Sequence, residues 1–159
     1  MIDSIQNMIQ AIERFENKTD DIILDLVALN EGQIVFLNTD NQLFQGIDAK
    51  GKKLFPPYSR KTIKIKRAKG QPTNRVTLLD TGDFHNSFLI VYGNDFFEIT
   101  ANDRKTKKLE LKYGSDIFGL TDNSLQILIN MIKDQFINEA RKHILSGNTF
   151  QHLKKIQNV

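Results

Sequence analysis

The sequence of 159 residues contains no cysteine and no tryptophan, and only three prolines and three histidines. Without cysteine there is no disulfide framework, no thiolate metal site and no cysteine nucleophile. The histidines include no close pair, so we expect no zinc centre and no cofactor. No apolar run approaches the roughly 20 residues that cross a bilayer, and residues 1–4 lack the basic start of a signal peptide. We therefore expect no membrane partner and synthesis in the cytosol.

Acidic residues are missing from one long segment. Between Lys50 and Leu79 there is no Asp or Glu, but there are ten basic residues: Lys50, Lys52, Lys53, Arg60, Lys61, Lys64, Lys66, Arg67, Lys69 and Arg75. The other twelve basic residues oppose 19 acidic residues, so the rest of the chain carries −7 although the net charge is +3. Such a segment attracts phosphate, and it can equally dock on an acidic neighbouring copy.

The first 45 residues have the apolar spacing of helices. A stripe recurs every three or four residues, which predicts a short amphipathic helix over residues 3–16: Ile5, Met8, Ile9, Ile12 and Phe15. We expect this apolar stripe to pack against another apolar surface. Asp20 and Asp21 then suit the first turn of a second, longer helix over residues 19–44, and Gly32 is a weak point at which this one helix can bend.

Residues 46–79 are predicted to form an extended basic arm. The turn from Gly46 to Gly51 ends the preceding helix, and Pro56-Pro57 removes two backbone donors. Residues 62–66 alternate between apolar and polar, which is compatible with a strand edge. Ten residues of this arm are the candidate contacts to a subunit or to DNA: Lys52, Lys53, Tyr58, Arg60, Lys61, Lys64, Lys66, Arg67, Lys69 and Arg75.

The remaining elements complete an α+β fold class. Residues 84–92 and 96–101 predict two strands, the first covered on both faces, joined at Gly93-Asn94. Thr121 is the predicted N-cap of a long helix that packs on the sheet and ends at Ser146-Gly147-Asn148. We predict one domain over residues 1–145, with helices in 1–45, the arm in 46–79, a small antiparallel sheet in 80–120, a helix in 121–145, and a tail in 146–159. The predicted core phenylalanines are Phe15, Phe36, Phe44, Phe88 and Phe136.

Acid–base chemistry has few candidates in this sequence. Asp80, Asp83 and His85 are close enough in the chain to act together. Turns select Asp because its side chain hydrogen-bonds to the backbone, so we interpret these residues as turn-forming and expect no catalytic residue. The alternative to a subunit contact is a nucleic-acid-binding module that uses arm residues 50–75, although this segment has only two aromatic residues to stack on bases.

Several short motifs follow one another in a characteristic order. Residues 41–54 read Asn-Gln-Leu-Phe-Gln-Gly-Ile-Asp-Ala-Lys-Gly-Lys-Lys-Leu, and Tyr58, Thr62 and Lys66 come next. They precede Leu79-Asp80-Thr81-Gly82-Asp83-Phe84 and Ser87-Phe88, and later Leu111-Lys112-Tyr113-Gly114 and Phe118-Gly119-Leu120-Thr121. Over residues 30–143 this order resembles the phage virion-morphogenesis, or tail-completion, family. The chain departs from the family pattern in lacking a His near Lys112, and in having Ser115-Asp116-Ile117 in place of an Arg-containing turn.

The resemblance implies a structural virion protein, without catalytic residues, that assembles as a ring at the head-proximal end of the tail or in the neck, as a head–tail connector. Its implied partners are copies of itself and other neck, portal or tail proteins, with packaged DNA as a second candidate. Its implied location is the virion, with the host cytoplasm during assembly. The resemblance also implies that six residues form turns that shape the fold: Gly46, Asp48, Gly51, Thr81, Gly82 and Ser87.

Overall fold

A computed structural model describes the backbone of residues 2–156 and the side chains of residues 5–145. The predicted α+β class is confirmed, since the described residues form helices and a two-stranded antiparallel sheet. The helices are α1 (Ile2–Glu16), α2 (Thr19–Leu29), α3 (Glu31–Thr39), α4 (Arg60–Ala68), α5 (Asp83–Asn86), α6 (Thr106–Tyr113) and α7 (Asp122–Ile156). The strands are β1 (Phe88–Tyr92) and β2 (Phe97–Ala101).

The described residues divide into two compact units, one with the residues up to Leu29 and from Ile129 onward, the other Asn30–Leu128. In the first unit α2 buries Ile22, Leu26 and Val27. Helix α1 buries Ala11, and the ring of Phe15 lies 5.8 Å from that of Phe136 in α7. The predicted α1 helix is confirmed, and most of its apolar stripe is exposed: Ile5, Met8, Ile9 and Ile12. A single domain over residues 1–145 stays a prediction.

The single long helix predicted over residues 19–44 is wrong, because the chain leaves helical geometry at Asn30 (φ −115°, ψ 15°). Helices α2 and α3 lie on either side of it, and Leu43–Gln45 forms one turn of 3-10 helix. Gly32 is not the break, since it lies in the first turn of α3.

In the second unit α3 packs on β1. The strands pair with Phe88 opposite Ala101 and Ile90 opposite Ile99, and these four side chains are buried. Val91 is 44% exposed, so the prediction of a first strand covered on both faces is wrong. Residues 84–86, predicted as its start, lie instead in α5, which follows Gly82 in a left-handed conformation (φ 100°).

The prediction of an extended arm is wrong for its central part, where Arg60–Ala68 forms α4. Ser59 caps this helix, because its Oγ accepts the N–H of Thr62 at 3.2 Å. The β-branched residues between Thr62 and Ile65 produced the strand-like alternation. The serine cap and the long basic side chains, which are good helix formers, outweigh that preference.

Helix α7 begins at Asp122, and the predicted cap is confirmed because Oγ1 of Thr121 accepts the N–H of Ser124 at 3.2 Å. The prediction that Ser146-Gly147-Asn148 ends this helix is wrong, since its backbone continues to Ile156. The side chains of the predicted tail, 146–159, lie outside the described residues. Phe88 is buried as predicted, whereas Phe36 is 47% exposed and is not a core residue.

No single helix in the described part of the chain has the length and apolar character of a membrane span. Among the described residues, only α2 and the segment Glu31–Gln45, counted together as a bent pair, have the length and apolar composition of a membrane span.

Candidate interaction surface around helix α4

Lys66 is the buried residue at the centre of the basic segment, with 5% of its surface exposed. Its ammonium group donates to Oε1 of Gln71 at 3.0 Å and to the carbonyl oxygen of Leu79. It also lies 4.8 Å from the centroid of the Tyr58 ring. Among the described residues no carboxylate forms an ion pair with this cation, so neutral oxygens and an aromatic face hold it. Lys66 is therefore an internal anchor and not a free contact residue.

Thr77, which is fully buried, joins the side chains of Tyr58, Lys66 and His85 into one polar cluster. Its N–H donates to the hydroxyl oxygen of Tyr58 at 2.8 Å, and the two hydroxyl groups are 3.2 Å apart. Its own hydroxyl lies 3.4 Å from the Lys66 ammonium, and its carbonyl accepts from Nε2 of His85 at 3.0 Å. The inner cluster, defined here as Tyr58, Lys66, Thr77 and His85, thus fixes α4 against residues 77–79.

Arg75 is a second internal anchor. Its Nε donates to the carbonyl oxygen of Phe44 at 2.8 Å, and its guanidinium carbon lies 5.2 Å from the Phe44 ring centroid. Gly46 permits this approach, because it is left-handed (φ 81°) and a Cβ there would lie 3.0 Å from the Arg75 Cβ and 3.1 Å from the Val76 carbonyl oxygen.

The remaining candidate contacts are exposed, and most have no ion-pair partner among the described residues: Lys52, Lys53, Arg60, Lys61, Lys64 and Arg67. Lys69 differs, because it forms an ion pair with Asp80, and this hydrogen bond lowers the pKa of the Asp80 carboxyl. Four of the exposed residues lie on α4, and we call them the outer cations: Arg60, Lys61, Lys64 and Arg67. The residues at 60, 64 and 67 share one side of the helix by their spacing.

The predicted turn residues lie in two tight turns. The Asp48 carboxylate accepts the N–H groups of Lys50 at 2.9 Å and Lys52 at 2.8 Å, and Ile47 bridges to Lys53. Gly51 in this turn is left-handed (φ 71°).

In the second turn the Thr81 hydroxyl donates to the Asp83 carboxylate at 2.6 Å. Gly82 is left-handed, and the Ser87 hydroxyl donates to the Phe84 carbonyl oxygen at 2.8 Å.

The first turn contacts a segment far along the chain. The Ala49 N–H donates to the Asp116 carbonyl oxygen at 2.8 Å, and the Lys50 ammonium pairs with the Asp116 carboxylate at 2.6 Å. A Cβ at Gly119 would lie 3.2 Å from the Cβ of Ala49, so the two backbones approach closely. Residues 46–51 and 116–119 therefore meet in space. Gly119 belongs to the motif Phe118-Gly119-Leu120-Thr121 quoted above for the family resemblance, whereas Asp116 lies in the segment that departs from the family pattern.

Two buried amides reinforce this junction, and no sequence pattern indicated their role. The Asn38 amide nitrogen donates to the Ile117 carbonyl oxygen at 3.1 Å. The Gln42 amide donates to the Gly119 carbonyl oxygen and accepts the Thr121 N–H, both at 2.9 Å. Both side chains are almost fully buried. Buried amides satisfied on both sides specify one arrangement of the chain.

Asp83 and His85 do not form an acid–base pair in this geometry. The Asp83 carboxylate accepts from Thr81, while the His85 ring donates to the Thr77 carbonyl. Burial lowers the pKa of His85 below its ordinary value of 6.5, against the opposing effect of that hydrogen bond. Within the described part of the chain, no group of three or more His, Asp or Glu side chains is arranged to hold a metal ion.

An open cavity of about 400 Å³ lies between α4 and α6. Its apolar lining includes Ile65, Leu78, Leu79 and Leu109, and the rings of Tyr58 and Tyr113 also border it. Three lysines add positive charge to the lining of the cavity: Lys108 and Lys112 in α6, and Lys105 immediately before that helix. Sequence reasoning missed these lysines as part of the surface because they lie about forty residues beyond α4, although the basic run 104–108 was visible.

Comparison with protein-family models, with curated proteins and with solved structures found no significant match to this chain. The resemblance to the tail-completion family therefore depends on the order of its motifs alone.

Proposed function

We propose that this chain is a structural, non-catalytic protein of a bacteriophage particle, which completes the tail or joins head to tail, and which assembles as a homo-oligomeric ring. The location in this proposal is the virion, reached from the host cytoplasm during assembly. The partners are identical copies and the adjacent neck, portal or tail proteins.

The observation that carries this proposal is the junction of residues 46–51 with residues 116–119. Short turn motifs recur by chance in unrelated sequences, and chance does not require them to meet. Here the close approach of Ala49 to Gly119 connects two of the motifs on which the resemblance depends. The hydrogen bond from Ala49 to Asp116 adds a contact with the adjacent segment, which departs from the family pattern. Their order therefore has a structural reason in this chain, which supports the comparison with the family.

The charge distribution supports assembly between copies. Residues 2–29 contain six acidic residues and two basic residues, a net charge of −4, whereas residues 30–128 contain 15 basic and 11 acidic residues, a net charge of +4. Oppositely charged regions on one chain favour contacts between different patches of identical subunits. Such heterologous contacts close into a ring when the rotation allows it.

The non-catalytic part of the proposal is supported by the best acid–base candidates being engaged in turn and backbone hydrogen bonds. Asp83 bonds the neighbouring Thr81, and His85 bonds the Thr77 carbonyl. The enzyme alternative predicts that Asp83→Ala or His85→Ala abolishes an activity. The structural proposal predicts that Asp83→Ala leaves particle assembly unchanged.

The proposal is tested by deleting the gene from the phage or prophage that carries it and examining the particles by electron microscopy. We expect unjoined heads and tails, or tails of abnormal end structure. Mass spectrometry of purified wild-type particles should find the chain in several copies per particle. Complete, infectious particles from the deletion strain, or absence of the chain from purified particles, would contradict the proposal.

Duplex DNA is a second candidate partner, favoured by the outer cations having no ion pair among the described residues. Four phosphate contacts predict that log Kobs falls with log salt at a slope of about −3.6. Titration of labelled duplex DNA with the purified chain measures this slope. Absence of binding at about 50 mM salt would exclude DNA as a partner of the isolated chain.

A further inference from the structure

Helix α1 displays an apolar stripe that the described part of the chain leaves largely exposed. Ile5 is 60% exposed, Met8 51%, Ile9 49% and Ile12 39%. Glu13 and Glu16 are exposed and follow Ile9 and Ile12 by four residues, so they extend the same side of the helix. The side of α1 that carries this stripe is thus apolar along its length and acidic at its C-terminal end, while Arg14 of the last turn lies on the opposite side of the helix by its spacing.

The cavity between α4 and α6 has the complementary character. Ile65, which lines the cavity, is 46% exposed, and the lining includes further apolar side chains and two tyrosine rings. Asp80, a carboxylate of the lining, is paired with Lys69 and Lys105. Lys108 and Lys112 are exposed on α6, one turn apart, and no carboxylate among the described residues pairs with either. An apolar recess with a cationic edge fits an occupant that carries apolar side chains next to carboxylates.

We infer that this cavity receives α1 of a second copy of this chain, with Met8 and its apolar neighbours against Ile65, and Glu13 and Glu16 toward Lys108 and Lys112. Both halves of the contact belong to one chain, so each copy offers one helix and one cavity. The contact is heterologous, which is the kind that closes into a ring. The inference rests on the proposed function, because it supplies the contact for the proposed ring.

The absence of cysteine from the chain allows a direct test by disulfide trapping. Two full-length single-cysteine variants are prepared, Met8→Cys and Ile65→Cys, and one of the two carries an affinity tag. The two variants are mixed and then oxidised. Because each chain has one cysteine, any disulfide joins two copies. We expect the yield of the disulfide-linked dimer of Met8→Cys with Ile65→Cys to be roughly tenfold higher than that of Met8→Cys with Leu111→Cys, which is the control pair. Leu111 is 89% exposed on the same helix as Lys108, so random collision would favour this control.

Charge exchange provides the second arm, since all four residues are exposed and their substitution spares the core. Adding Glu13→Lys and Glu16→Lys to the Met8→Cys variant should lower the mixed dimer about fivefold. Lys108→Glu and Lys112→Glu in the Ile65→Cys variant should do the same. Mixing the two exchanged partners should restore most of the yield.

The outcomes separate this contact from the ring itself. Oligomers in sedimentation velocity, together with mixed dimers no more abundant than the Leu111→Cys control, would overturn the inference and leave the proposed ring standing. A chain that sediments as a monomer at all concentrations and is absent from purified particles would overturn both. Binding of duplex DNA that is lost on Lys108→Glu and Lys112→Glu, without trapping, would assign the cavity to nucleic acid and equally overturn the inference.

Discussion

Lys64 and Lys66 lie two residues apart in α4 and have opposite environments. Lys66 is 5% exposed, its ammonium is bonded to neutral oxygens, and it packs over the Tyr58 ring. Lys64 is exposed and has no ion-pair partner among the described residues. The acid-free segment is therefore not one uniform charged surface. Its inner side holds the fold together, and its outer side is available to a partner.

The difference between Lys64 and Lys66 determines which charge reversal can test the function. A charge reversal that includes Lys66 would place a carboxylate beside the Leu79 carbonyl and unfold the site, so loss of assembly would prove nothing about contacts. Arg67 is exposed and belongs to the outer cations, so an informative charge reversal includes Arg67 and leaves Lys66 unchanged.

The largest effect on stability is expected from Lys66→Met. This change keeps the side-chain length but removes the ammonium donor from the part-buried oxygens of Leu79 and Gln71 and from the Thr77 hydroxyl, which costs about 3 kcal/mol of unfolding free energy. Lys64→Met is the matched control, with a change within about 0.5 kcal/mol. Urea denaturation followed by circular dichroism measures both. Equal effects of the two substitutions would erase the distinction between the two sides of α4.

The next largest loss of stability is expected at Gly46, whose lack of a side chain allows Arg75 to approach the backbone. Gly46→Ala adds a left-handed conformational cost and a methyl group 3.0 Å from the Arg75 Cβ, for a loss of about 2 kcal/mol. Gly51→Ala shares the positive φ but has nothing within 4 Å, so it should cost about 1 kcal/mol. Denaturation midpoints of the two variants give the difference. A Gly51→Ala variant as unstable as Gly46→Ala would show that the approach of Arg75 contributes nothing.

A smaller effect is expected from Tyr58→Phe. It removes the hydroxyl that accepts the buried Thr77 N–H, and the loss of this hydrogen bond costs about 1.5 kcal/mol. Tyr113→Phe, at the opposite border of the cavity, is the control and should change stability by less than about 0.5 kcal/mol. Thermal unfolding of both variants tests this. A Tyr58→Phe protein as stable as wild type would remove Tyr58 from the inner cluster.

The smallest effect is the pH dependence contributed by His85. Burial lowers its folded-state pKa below 6.5, so the unfolded chain takes up a proton first as the pH falls. Its contribution to stability is full above pH 6.5 and is lost as the pH falls toward the folded pKa. The loss should be under about 1 kcal/mol between pH 7 and pH 5.5, and smaller in His85→Gln. A wild-type slope identical to that of His85→Gln would contradict the burial effect.

Sequence reasoning located the elements whose determinants are local. The spacing of Ile5 to Ile12 gave α1, and Thr121 gave the start of α7, because caps and apolar periodicity act within a few residues. It failed at α4, where β-branched residues imitate a strand and the deciding cap is a single serine. It also treated all cations alike, because the hydrogen bonds that bury Lys66 are made by residues 71–79 through the tertiary fold.

The candidate site was therefore predicted in part. The basic segment and its turns were visible in the sequence, and six of its ten candidate contacts are exposed without an ion pair among the described residues. The amides of Asn38 and Gln42 and the lysines of α6 were not visible. Their roles depend on contacts with residues far away in the chain, which neither composition nor periodicity encodes.

The most direct test of the account is complementation of the gene deletion with the outer cations reversed: Arg60→Glu, Lys61→Glu, Lys64→Glu and Arg67→Glu. Circular dichroism and urea denaturation first establish that the variant folds with near wild-type stability. We predict that this folded protein fails to restore complete particles, and that infectious yield stays at the level of the deletion. Wild-type yield from the reversed variant would contradict the claim that the outer side of α4 is the contact surface.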